Sequence, residues 1–129
     1  MKIILLSIMV DDQTKAEAFY AGVLGFRKTK DFPAGEHRWL AFVSPEGPDD
    51  VEITLEPMGF APARAWQKAL YDAGIPAAML GAKNVTAEHA RLSALGVTFK
   101  GPPQKHGPSP MMATFDDTCG NWLMMVETG

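Results

Sequence analysis

Two hydrophobic rhythms alternate along this chain, and each switch between them marks the border of an element. Ile3 to Val10 is an unbroken apolar run closed by Asp11 and Asp12, which predicts a first strand buried on both faces. Asp12 then offers a helix N-cap, because its carboxylate can accept bonds from the unsatisfied N–H groups of a first turn. Ala16, Phe19, Tyr20, Val23 and Leu24 follow at one-face helical spacing, and Gly25 stops that helix. Three strands are expected next: Phe26 to Lys30, His37 to Val43 and Val51 to Glu56. The turns between them are Pro33-Ala34-Gly35 and Pro45-Glu46-Gly47-Pro48. In the last of these strands Val51, Ile53 and Leu55 alternate with Glu52, Thr54 and Glu56, which fits one packed and one polar face.

Pro62 opens a second helix, with Ala63, Trp66, Ala69, Leu70 and Ala73 on one side and Gly74 as its stop. Then the first pattern returns. Ile75 to Ala82 reads as a strand, Asn84 as an N-cap, and Val85, His89, Leu92 and Leu95 as a helical stripe ended by Gly96. Val97 to Lys100 begins another strand. Gly101 to Pro110, rich in proline and glycine, reads as a long loop, either a lid or an ordinary surface connection. Met111 to Asp116 and Trp122 to Glu127 form a closing hairpin. Ala16-Glu17 and Leu24-Gly25-Phe26 line up with Ala87-Glu88 and Leu95-Gly96-Val97 at one constant offset of 71 residues. Duplication of a βαβββ unit accounts for that repeat. The expected fold is α+β: two βαβββ modules forming facing curved mixed sheets around a cup. It forms a single domain over 1–129, with halves at approximately 1–60 and 75–129 and a linking helix over 62–73.

Composition narrows the function. At 129 residues and net charge −3, with no run of Lys or Arg, the chain lacks the electrostatic footprint of nucleic-acid or anionic-membrane binding. No stretch approaches the roughly 20 apolar residues of a membrane span. Lys2 and the apolar run after it resemble a signal peptide only in part, since two aspartates follow at once and no small-residue cleavage site does. The single cysteine, Cys119, fits a cytoplasmic location without disulfides. No nucleophilic triad, phosphate loop or Cys/His cluster is present.

The segment Val10 to Phe26, a strand ending in aspartate followed by a helix with Phe19-Tyr20 and then Leu24-Gly25-Phe26, resembles the opening of the vicinal oxygen chelate superfamily. That group includes glyoxalase I, bleomycin-resistance proteins, fosfomycin-resistance enzymes and extradiol dioxygenases. Asp117-Thr118-Cys119-Gly120-Asn121 is similar to the Asp-x-x-Gly-Asn turn before that family's last strand. The resemblance implies a cup that binds a small molecule, and a homodimer. It also implies where metal ligands stand in metal-dependent relatives. One lies fifteen residues before the tyrosine of Phe-Tyr, which is Leu5. Its counterpart in the second half is Ala77, and the last, four residues after the glycine of the turn, is Met124. Glu52 alone keeps an acid near an expected place. Three apolar side chains at those places imply a protein with no metal and no cofactor that holds a small organic molecule in an apolar cup. The alternative is a metal-dependent lyase, isomerase or dioxygenase of the same superfamily, and whether the chain is an enzyme stays open.

The candidate ligand-binding residues are Trp39, Glu52, Thr54, Met112, Trp122 and Met124, with Arg38 as an alternative to Trp39. In the strand before the last turn, either Met112, Thr114 and Asp116 or Met111, Ala113 and Phe115 face inward. Glu52 is the best catalytic candidate, on the expectation that an apolar cup raises its pKa and keeps a proton available near neutral pH. His37 and His106 are either rim or catalytic groups or plain solvent-exposed residues, His89 a packing residue, and Cys119 a turn residue without an evident activating group.

Overall fold

The computed structural model describes all 129 residues, which divide into two compact units, 1–66 and 67–129. The first unit contains strands β1 (Leu5–Met9), β2 (Arg27–Ala34), β3 (His37–Val43) and β4 (Glu52–Glu56) in the order β1-β4-β3-β2. β1 runs parallel to β4, with Leu5 beside Glu52 and Met9 beside Glu56, and the other pairings are antiparallel. Helix α1 (Gln13–Glu17) starts where the sequence places it. Asp12 is its N-cap and accepts from the Lys15 N–H at 3.0 Å. The helix then widens into a π-helical turn over Ala18–Val23, with Leu24 N–H donating to the Phe19 carbonyl. Phe19 and Tyr20 are buried there, and Gly25 ends the helix at φ +78°. The core of this unit is Ile8, Phe19, Tyr20, Leu40, Phe42 and Leu55.

The second unit holds β5 (Ala78–Ala82), β6 (Met112–Asp116) and β7 (Trp122–Glu127) in the order β5-β7-β6. β5 is parallel to β7, and β6 antiparallel to it. Helix α3 (Val85–Ala94) packs on β6 and β7 and is capped by Asn84, whose side chain accepts from the Ala87 N–H at 2.8 Å. The α+β architecture with two mixed sheets is therefore the one the sequence implies. The boundary between the units falls within α2 (Ala61–Asp72).

Four expectations need correction. The second sheet has three strands, because Val97 to Lys100 contributes only a bridge from Phe99 to Phe115 on the free edge of β6. Pro102 and Pro103 follow immediately and supply no N–H to prolong that ladder. β2 runs on through Pro33 and Ala34, where a turn was expected; it is an edge strand, and an edge tolerates a proline. β1 is not buried on both faces, since Ile3, Ile4 and Leu6 are 66, 60 and 55% exposed. In α2 the buried residue is Gln67, while Trp66 is 64% exposed. The amide of Gln67 donates to the Cys119 carbonyl and to Asn121 Oδ1, so a polar contact in mid-helix takes the place of the expected apolar stripe.

Gly120 touches the same amide. Its φ is +95°, and a Cβ there would stand 2.7 Å from Gln67 Oε1 and 2.8 Å from Gln67 Cδ. Gly120→Ala is expected to lower stability by about 2–4 kcal/mol, combining left-handed strain with displacement of a buried amide. Denaturant titration checks the value. Gln67→Ala in the same chain should recover part of it, because the two substitutions share one contact.

Candidate functional site

Each sheet has one face covered by its helix and one that is not. In the second unit, strand alternation with the observed pairing settles which residues lie on the uncovered face. Ala113, Phe115, Leu123 and Met125 are buried. Met112, Thr114 and Asp116 on β6, and Trp122, Met124 and Val126 on β7, are half-buried on the opposite side. Met124 is paired with Thr114 on one flank and with Met79 on the other, and Met79 is 69% exposed. The structure thus brings Met112, Trp122 and Met124 onto one face, with Thr114 and Asp116 beside them, and resolves the β6 alternatives in favour of Met112.

One end of that surface is built by aromatic stacking. Tyr71, near the end of α2, lies 4.9 Å from Trp122 between ring centroids at an interplanar angle of 10°. Trp122 Nε1 donates to the Tyr71 carbonyl at 3.1 Å, and Tyr71 donates its phenolic proton to Asp116 Oδ2 at 2.5 Å. That hydrogen bond to a carboxylate, helped by burial and by the charge of Asp116, pushes the phenol up to about 12. The folded value exceeds the ordinary one near 10, so the stabilisation is complete below pH 10 and is lost as pH rises towards 12. The melting temperature should therefore fall more steeply over that window in the wild-type protein than in Tyr71→Phe. Parallel curves would contradict the assignment.

In the first unit Leu5, Ser7 and Met9 lie beside Glu52, Thr54 and Glu56 on the face away from Leu55. The middle of that face is closed: Ala41, Val43 and Thr54 are buried. The Thr54 hydroxyl is within 3.1 Å of both Ser7 Oγ and Glu56 Oε1, so it is already satisfied within the chain. The accessible part is at the hairpin end, where Phe32 and Trp39 stack with centroids 6.2 Å apart and planes 11° apart. They are 49 and 37% exposed. Arg38 points to the other side, held by Glu17 and Asp31; hydrogen bonds from Lys28 and Arg38 lower the Glu17 pKa, and those from Arg38 and Lys28 lower that of Asp31. Of the two alternatives, Trp39 is the one on the uncovered face. Phe32 escaped the sequence reading, because the strand was expected to end at Lys30; two more residues of strand would have put it opposite Trp39.

Glu52 does not have the raised pKa expected of it. Lys30 Nζ lies 2.5 Å away and Thr29 donates to its second oxygen, and these contacts lower the value. A carboxylate held as an ion pair is a poor proton reservoir near neutral pH. His37 and His106 lie in different units, each lining a cavity, and His89 packs against Phe99 at 4.2 Å. Cys119 is buried. The Gly101–Pro110 loop is tied to the edge of β6 by two backbone bonds between Gln104 and Met112, of 2.8 and 2.9 Å. Gly101, Pro102, Gln104 and His106 of this loop border the cavity that contains Met112 and Met124.

The residues at the positions that the family resemblance assigns to metal ligands do not form a donor set for a hard divalent cation. Leu5 and Ala77 offer no donor, and the thioether of Met124 is a soft ligand unsuited to a hard divalent cation. Glu52 is committed to Lys30 and Thr29, and no group of three or more His, Cys, Asp or Glu side chains converges anywhere in the chain.

This combination of duplicated units, strand order and closing Asp-x-x-Gly-Asn turn defines a family. The chain belongs to the glyoxalase/bleomycin resistance protein/dioxygenase superfamily, whose family model matches residues 2–125. It is 43% identical over 127 residues to the uncharacterised YurT protein of Bacillus subtilis (strain 168), covering 98% of this chain and 99% of that one. Among solved structures it resembles UcmS2, at 31% identity and a TM-score of 0.84, covering 99% of this chain and 98% of the other. TnmS3, an antibiotic-binding protein from Streptomyces sp. CB03234, matches at 29% identity and a TM-score of 0.75, covering 100 and 97%. No helix is long and apolar enough to cross a membrane.

Proposed function

We propose that this protein binds a small organic molecule with an extended apolar surface, and that it does so without the divalent cation used by metal-dependent relatives. The observation that carries this reading is the half-exposed surface of Met112, Trp122 and Met124, with an apolar thioether at the place of a metal ligand. Methionine side chains are flexible and polarisable and adapt to ligands of irregular shape. Within the first unit, the stacked Phe32 and Trp39 form an exposed aromatic surface of their own. Likeness to an antibiotic-binding protein supports a ligand of that general kind. Met112, Trp122 and Met124 are the contact residues of the second unit in this reading, and Trp39 is a separate candidate contact within the first. Glu52 and Thr54 support the sheet from within their own hydrogen-bond network, and neither is given a catalytic role.

A homodimer and a cytoplasmic location belong to the same proposal. Ile3, Ile4 and Leu6 give the edge strand β1 an exposed apolar flank of the type that subunit pairing covers. The single cysteine, Cys119, is buried and in no disulfide, which fits a reducing compartment. A thermal-shift screen of polycyclic and aromatic compounds in the presence of chelator tests the binding reading. A true ligand at a hundredfold above its Kd should stabilise the fold by about 2.7 kcal/mol. A screen in which only metal ions shift the transition would contradict it.

A further inference from the structure

Eight of the twelve Lys and Arg side chains in this chain are in ion pairs with carboxylates. Lys100 is one of the four that are not, and it is the one placed on the uncovered face of the second sheet. Its ammonium lies 5.2 Å from the centre of the Trp122 ring and 3.4 Å from the Gly74 carbonyl. Two cavities meet at it. One, of about 180 Å³, is floored by Met112, Thr114 and Met124 and flanked by Gln104 and His106. The other, of about 350 Å³, is bounded by Tyr71 and Trp122. The acids within reach are already engaged. Asp116 accepts from Tyr71 through one oxygen and from the Thr118 N–H through the other, and Asp72 is bonded to Lys68. The face therefore presents an apolar, aromatic floor beside one cation that has no anionic partner in the chain.

Resting on the small-molecule reading above, we propose that the ligand is an organic anion: an aromatic body carrying one acidic oxygen group, a carboxylate, sulfonate or ionised phenol. Its ring system lies on Met112, Met124 and Trp122, and its anionic oxygens take hydrogen bonds from Lys100 Nζ. The ammonium is held over an indole face at the meeting of two cavities, so an anion there gains a hydrogen-bonded ion pair that a neutral ligand cannot form. The Gln104 amide and the Thr114 hydroxyl lie on the same cavity and supply further donors.

Two fluorescent probes with nearly the same ring system separate the charge from the apolar contact: 1-anilinonaphthalene-8-sulfonate and its neutral parent, N-phenyl-1-naphthylamine. The wild-type protein should bind the sulfonate roughly tenfold more tightly than the neutral probe at low ionic strength, with the gap narrowing as salt is added. Lys100→Met, which keeps the apolar stem, should close the gap by weakening only the sulfonate. Lys100→Arg should keep most of it. A cooperative thermal transition in each variant shows that binding is to the folded state. Equal affinities in the wild-type protein, or a gap that survives Lys100→Met, would overturn the anion assignment while leaving an apolar binder. Failure of both probes to bind would overturn that reading and the assignment together.

Discussion

Asp117→Ala should be the most damaging single change in the closing turn, lowering stability by about 3–5 kcal/mol and the melting temperature by roughly 10–20 °C. Asp117 is fully buried. Its Oδ1 accepts from the Cys119 and Asn121 N–H groups at 2.8 and 3.0 Å, and its Oδ2 accepts from Asn121 Nδ2 at 2.7 Å. Alanine removes both carboxylate oxygens from these three buried donors at once, which costs more than the bonds contribute in net terms. Asp117→Asn should lie between the two. Its Oδ1 can still serve the backbone groups, while its amide nitrogen faces another donor on Asn121. Denaturant unfolding of both variants checks the ranking, and equal losses would show that the hydrogen-bond pattern is not what matters. The consequence reaches the site, because β7 begins at Trp122, directly after this turn.

Met124→Glu should have the opposite signature, with a large effect on binding and a small one on the fold. Met124 is half-buried on the uncovered face, between Met79 and Thr114, so a carboxylate there can reach solvent in the free protein. Stability should change by less than about 1 kcal/mol. A bound apolar molecule would strip that water away, and burying an unpaired charge is strongly unfavourable. Affinity for N-phenyl-1-naphthylamine should fall by at least about tenfold. Unchanged affinity would place the ligand elsewhere than on this surface.

What the sequence made legible was local in origin. The caps at Asp12 and Asn84 and the stops at Gly25, Gly74 and Gly96 depend on residues within a few positions of each other, and all appear in the structure. β3 and β7 were found at their observed limits because turn residues bound them closely. β2 was cut short because Lys28, Thr29, Lys30 and Asp31 show no alternation: they lie on an edge strand, all exposed, with a shifted register between Lys28 and Lys30. Charge partners were not legible at all. Nothing near Glu52 in the chain announces Lys30, which stands on a strand two positions across the sheet, so the expected pKa shift came out reversed in sign. Lys100 was invisible for the same reason. Its setting depends on Trp122 and on the end of α2, which only the fold brings to it. Trp122 and Met124 were found through simple alternation, while the choice of Met112 over Met111 needed the pairing of β6 with β7.

The most direct test of the account is a titration with N-phenyl-1-naphthylamine, performed once on protein dialysed against chelator and once after addition of excess Mn²⁺. Binding without a divalent cation predicts the same Kd in both. No binding in chelator, with affinity restored by the metal, would contradict the account and show that Leu5, Ala77 and Met124 had been misplaced as the ligand positions.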